Sequence, residues 1–143
     1  MILYRSYPAR WSETISVAAV KKAGGLPVAS FSESNPQVDF AGIGVNVTSL
    51  KPGGGFQSMQ GTSMAAPHVT GLIAALLTNG RNSSDKNLRK DLSEKFAIDI
   101  GSEGPDNSTG VGFATFLSTS ELDILWDSIA DQDVSLTFQA QAY

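Results

Sequence analysis

The sequence predicts an α/β chain built on a mostly parallel sheet with helices against it. The segment Thr14-Ile15-Ser16-Val17-Ala18-Ala19-Val20 is short, β-branched and mostly apolar. That is the pattern of a strand buried on both faces, as parallel strands are. Val69, Leu72, Ile73, Leu76 and Leu77 fall at i, i+3, i+4, i+7 and i+8, the stripe of an amphipathic helix. Short strands and helices are separated by Gly/Pro-rich loops.

After the first strand, Lys21 to Pro27 reads as a Gly/Pro loop. Val38-Asp39-Phe40 and Val45-Asn46-Val47-Thr48 are two further short strands around Gly42 and Gly44. Pro52-Gly53-Gly54-Gly55 is a loop that leads to the main helix. Gly80 after Asn79 caps that helix. A second helix starts at Ser83 or Ser84 and sets Leu88, Leu92 and Phe96 on one stripe. Ile98 to Gly112 is loop-rich. Ser120 with Asp123 three residues on resembles a capping box and opens a third helix with Leu122, Leu125, Trp126 and Ile129 on its apolar face. From Val134 the tail alternates apolar and polar residues with strand periodicity.

At 143 residues the chain fits one compact domain. A net charge of −4 leaves no basic footprint and argues against nucleic acid as a partner. With no cysteine, thiolate catalysis, disulfides and cysteine-bound zinc are excluded. No apolar run approaches the ~20 residues of a membrane span. Met1 to Arg5 lacks the layout of a signal peptide. N-x-S/T sequons at Asn46, Asn82 and Asn107 are a faint sign of secretion.

The chemistry concentrates in Gln60-Gly61-Thr62-Ser63-Met64-Ala65-Ala66-Pro67-His68. A serine between a glycine turn and a helix start lies beside unpaired N–H groups and the positive end of the helix dipole. An acyl-transfer nucleophile with part of its oxyanion hole belongs there. The bland alternative is a Thr/Ser N-cap on a buried helix, and spacing alone leaves both open. Gly61-x-Ser63-x-Ala65 approximates the nucleophile elbow of α/β-hydrolases, but that arrangement needs a histidine well downstream. The sole histidine is His68. Five residues along a helix is about 500° of rotation, so the Ser63 and His68 side chains point about 140° apart. His68 is therefore structural rather than the base for Ser63.

These residues resemble the subtilisin-like serine proteases, peptidase family S8. Gly61 to Val69 looks like that family's serine box almost letter for letter. Tyr7-Pro8-Ala9 with Thr14 to Val20, Ala29-Ser30-Phe31-Ser32, and Val38 to Val45 resemble its other segments in the same order. The resemblance covers about residues 4–117, and the triad it implies is a known constellation. It implies the C-terminal portion of a three-layer fold, residues 1–133 being a partial peptidase domain and 134–143 a β-like tail.

The resemblance implies that Ser63 is the nucleophile and that its own N–H donates to the oxyanion. Gly61 and Thr62 form the turn bordering the hole. Met64 packs behind the nucleophile, Gln60 borders the leaving-group side, and Ser6, Tyr7, Pro8 and Ala9 line part of the substrate pocket. The Tyr7–Pro8 bond is cis by the same resemblance. No cofactor is implied for the chemistry. Carbonyls of Ala9, Trp11 and Thr14 match a weak cation site, with calcium or a monovalent cation as structural ion. The substrate implied is polypeptide, and the location extracellular.

The chain departs from the family in three boxes. No D-[ST]-G box, no H-G-[ST]-H box and no asparagine-bearing "GN" turn occur. Ile43 stands where the family has proline, and Ser6 where it usually has glycine. Three readings follow: a serine endopeptidase represented by its serine-bearing part and inactive alone, one chain of a split protease, or a non-catalytic binding or inhibitory module. The strand at Thr14–Val20 is expected to expose an apolar edge unless an upstream segment or complementary chain covers it.

Overall fold

The computed structural model describes residues 7–78 and 87–130. Along them run β1 (Val17–Val20), β2 (Phe40–Ile43), β3 (Val47–Leu50), β4 (Phe56–Met59), α1 (Thr62–Thr78), α2 (Leu88–Lys95), β5 (Ala97–Ile98), β6 (Phe113–Ala114) and α3 (Thr119–Ala130). Four strands form one sheet in the order β1-β2-β6-β5. β1, β2 and β6 are parallel, and β5 joins antiparallel to β6.

Successive side chains on a strand face opposite ways, and that alternation builds a three-layer α/β arrangement. Val17, Phe40 and Ala114 pack with Val69, Leu72 and Leu76 of α1 and Leu92 of α2. Ala18, Val20, Ala41 and Phe113 face the other way, against Leu26 and Leu122 of α3. β1 is thus buried on both faces, as its sequence predicts; Ala19 and Val20 are wholly inaccessible. The predicted α1 stripe is also the one that packs, with Val69, Leu72 and Leu76 buried and Ile73 half-buried. Each fully buried residue of this kind contributes about 1.5–3 kcal/mol.

β1 is the edge of the sheet among the described residues. Its outer edge is partly covered. The Ala29 N–H donates to the Ala19 carbonyl at 2.9 Å, the Ala19 N–H to Ser32 Oγ at 3.0 Å, and the Lys21 N–H to the Pro27 carbonyl at 2.9 Å. The loop after β1 therefore folds back along its C-terminal half.

Several boundaries differ from expectation. β1 begins at Val17, because Trp11 to Thr14 is held in turns by the Pro8 and Trp11 carbonyls. β2 starts at Phe40 and contains Gly42. β4, β5 and β6 arise where the sequence shows no strand pattern, and β5 ends on the first residue of the expected Ile98–Gly112 loop. β5 and β6 are two residues long, too short to carry a period. The capping box of α3 is Ser118 with Glu121, not Ser120 with Asp123. The Ser118 N–H donates to Glu121 Oε2 at 2.8 Å, and the Glu121 N–H reaches Ser118 Oγ at 3.4 Å. The geometry needs the cap one residue before the first helical one, and that is Ser118. α2 is described from Leu88, with Asn87 ahead of it. The expected starts at Ser83 or Ser84, the Gly80 cap and the tail from Val134 lie outside the described residues, as do the side chains of Leu125, Trp126 and Ile129.

Candidate active site

β1 and β2 both run toward the N-terminus of α1. In a parallel sheet that carboxyl end of the strands is where ligands bind. The approach is close because the residues are small. A Cβ on Gly42 would lie 2.7 Å from the Ala65 carbonyl oxygen. One on Gly44 would lie 2.6 Å from the Ala19 Cβ and 2.8 Å from the Gly61 oxygen. Ala19, Ala29 and Ala65 fill the space beneath, all buried.

Gly61 turns the chain into the helix. Its φ of 151° is one that side-chain-bearing residues rarely adopt. Its N–H donates to the Gly44 carbonyl at 2.8 Å, which ties the turn to the end of β2. Its carbonyl accepts the Met64 N–H at 3.0 Å and the Ala65 N–H at 3.3 Å. Gly61 is therefore the N-cap residue, and Thr62 and Ser63 are the first two helical positions. This removes the N-cap explanation for the serine, since the capping position carries no side chain.

Ser63 is exposed, and among the described residues its hydroxyl has no hydrogen-bond partner. The Thr62 and Ser63 N–H groups likewise have no acceptor among the described residues. No acidic residue occupies the first turn to neutralise the dipole. The site presents a free hydroxyl and free amide donors in a field that favours negative charge. Met64 is half-buried and folds back so that its sulfur lies 3.6 Å from where a Gly61 Cβ would be. Gln60 is exposed on the approach from β4.

His68 does not serve Ser63. Its Nδ1 lies 2.8 Å from the Met64 carbonyl oxygen, one turn back on the same helix. A carbonyl only accepts, so Nδ1 carries the proton in this bond. Pro67 sits between them within α1 and leaves the Ser63 carbonyl without its i+4 donor.

The segment expected to line the substrate pocket is held by contacts within itself. The Tyr7–Pro8 bond is cis. The Tyr7 and Trp11 rings stand 5.7 Å apart, and Arg10 lies over the Tyr7 ring with Nη1 3.1 Å from the hydroxyl. Tyr7 and Pro8 are exposed and Ala9 half-buried, and Ser6 lies outside the described residues. Among the described residues no hydrogen bond or ring contact joins Tyr7–Ala9 to Gln60–Met64. No group of three or more His, Cys, Asp or Glu stands close enough to hold a metal among them either. A cleft of about 320 Å³ opens at the opposite end of β2, beside Asp39, Arg89 and Asp106. The Arg89–Asp39 pair there has no local sequence signal, because its partners are 50 residues apart.

The comparisons with known proteins agree with this geometry. The profile of the subtilase family matches residues 3–112. Fervidolysin of Fervidobacterium pennivorans is 37% identical over 128 residues, covering 76% of this chain and 18% of its own length. Subtilisin of Bacillus pumilus is 38% identical over 96 residues, covering 67% of this chain and 34% of its own. Among solved structures, fervidolysin, described as a keratinolytic enzyme related to subtilisin, superimposes with a TM-score of 0.68 at 34% identity over 85% of this chain and 20% of that one. The S41 psychrophilic protease gives 0.71 at 29% identity over 78% and 43%. The chain therefore spans less than half the length of each of these relatives. It belongs to the subtilase family of serine peptidases and carries a part of the subtilisin-like α/β fold.

Proposed function

We propose that Ser63 is the nucleophile of a subtilisin-like endopeptidase, and that these residues act with a segment supplying the aspartate, the histidine and the second oxyanion donor. The observation that carries this reading is the Gly61 turn. It takes over the capping of α1 and leaves the Ser63 hydroxyl and amide unbonded among the described residues.

Ser63 Oγ attacks the carbonyl carbon of an extended polypeptide. The supplied histidine takes its proton and later gives it to the leaving amine, and water releases the acyl group. The Ser63 N–H donates to the oxyanion with Thr62 beside it, and one such donor is worth roughly 3–4 kcal/mol. Gln60 borders the leaving group, Met64 backs the serine, and Ser6 to Ala9 wall the pocket for the residue before the cut. With His68 bonded to Met64, the described residues supply no base for Ser63, and on this reading the chain alone hydrolyses peptides negligibly. The reading places the protein outside the cell, and exposed Asn46 and Asn107 within sequons accord with that.

The test is labelling with a fluorophosphonate. The chain alone stays unlabelled. Mixed with the upstream part of a subtilisin relative, it takes one label, at Ser63, and Ser63→Ala takes none. Stoichiometric labelling of the isolated chain contradicts the reading. A folded, complemented assembly that stays unlabelled favours a non-catalytic module.

A further inference from the structure

Two of the three carbonyls expected to hold a cation are already in use. The Trp11 carbonyl accepts the Thr14 N–H at 3.0 Å and Thr14 Oγ1 at 2.9 Å, which uses both its lone pairs. The Thr14 carbonyl accepts Arg89 Nη2 at 2.8 Å, and the Ser12 carbonyl accepts the same nitrogen at 3.1 Å. Arg89 Nη1 reaches Asp39 Oδ1 at 3.0 Å. Asp39 Oδ2 accepts the Ser16 N–H at 2.8 Å. Of the three expected carbonyls, only that of Ala9 accepts no hydrogen bond among the described residues.

A carboxylate with backbone carbonyls is the donor set of a hard, oxygen-bound cation. Here that set already surrounds a positive charge. A metal ion bonded to the Thr14 oxygen at about 2.4 Å would lie within roughly 5 Å of the guanidinium, where like charges repel. The residues as arranged do not fit a metal ion.

We propose that Arg89 is the resident cation of this cradle. Its guanidinium takes the place of the structural ion that the family resemblance implies. It ties α2 to the 8–14 turns and to the start of β2, and a small oxygen-seeking cation enters only when the side chain is removed. A guanidinium suits the position because its planar fork reaches a carboxylate and two carbonyls at once. The inference stands apart from the reading of Ser63.

Terbium luminescence tests it, with Trp11 beside the cradle as the sensitiser. The wild-type chain gives no saturable Tb³⁺ emission, and Ca²⁺ at constant ionic strength does not move its thermal midpoint. Arg89→Met, which keeps the alkyl stem, binds Tb³⁺ at least tenfold more tightly, is displaced by Ca²⁺, and goes dark when Trp11→Phe is added. Arg89→Lys, which keeps a positive charge, remains as silent as wild type. Saturable emission from wild type, a folded but silent Arg89→Met, or an Arg89→Lys that binds like Arg89→Met each overturns the proposal. If Arg89→Met folds only with Ca²⁺ added, the rescue supports it. If it folds under neither condition, the wild-type and Arg89→Lys titrations decide.

Discussion

β2 is entered through Asp39 and left through Gly44, and the two ends are built in opposite ways. At the entrance every polar group of Asp39 is bonded. Its carboxylate meets Arg89 and the Ser16 N–H, its carbonyl accepts the Val111 N–H at 2.9 Å, and its own N–H donates to the Ser16 carbonyl at 2.9 Å. At the exit the chain reaches a turn whose hydroxyl and first two helix amides have no partner among the described residues. Both ends are packed against glycine. The entrance uses closeness to saturate hydrogen bonds, and the exit uses it to aim unsatisfied donors outward. The difference separates a saturated corner from one with free donors, since donors left to solvent are available to a ligand at little cost.

Substitutions can break this comparison, and the largest effect belongs to the entrance. Gly110 has a φ of 65°, and a Cβ there would overlap the Asp39 carbonyl. Gly110→Ala is expected to cost about 3 kcal/mol or more, read by urea titration, because the obstacle is backbone. Gly44→Ala at the exit meets the Ala19 methyl and the Gly61 oxygen, and should cost about 2 kcal/mol as α1 backs away. It should also displace Ser63, so that labelling of a complemented assembly falls further than stability does. Arg89→Met strands the Asp39 carboxylate. The Arg89 side chain is 42% exposed and that of Asp39 20%, so water screens the loss to about 1–2 kcal/mol.

Acid should reach the entrance before the exit. Burial pushes the Asp106 carboxyl up, but the Ser108 and Thr109 amides, the Thr109 hydroxyl and the Ser102 amide together hold it below its ordinary value. A carboxylate lowered on folding stabilises above its unfolded pKa, and that stability is lost as pH falls through the folded value. Asp106→Asn should flatten the acid limb of a stability-against-pH curve, while Ser63→Ala leaves it unchanged. Ser63→Ala is the smallest change, within about 0.5 kcal/mol, because it removes an exposed hydroxyl with no partner among the described residues.

The exit was far more legible in the sequence than the entrance. The α1 stripe, the buried strand at Val17–Val20 and the serine turn are contiguous, so local period and turn chemistry reveal them. The same contiguity let helix geometry dismiss His68, and its bond to Met64 accords with that. The entrance is assembled from Thr14, Ser16, Asp39, Arg89 and Val111, which no local pattern links. Two-residue strands such as Phe113–Ala114 exist because β2 offers an edge, not because their own residues demand it. The capping box moved to Ser118 because two S-x-x-acidic pairs overlap there, and only the helix start chooses between them.

Fluorophosphonate labelling of Ser63, with and without a complementing segment that carries the aspartate and histidine, tests the central claim most directly. The account predicts no label on the isolated chain and one label per chain, at Ser63, in the assembly. A full label on the isolated chain would show that these residues already contain a base for Ser63, and would contradict it.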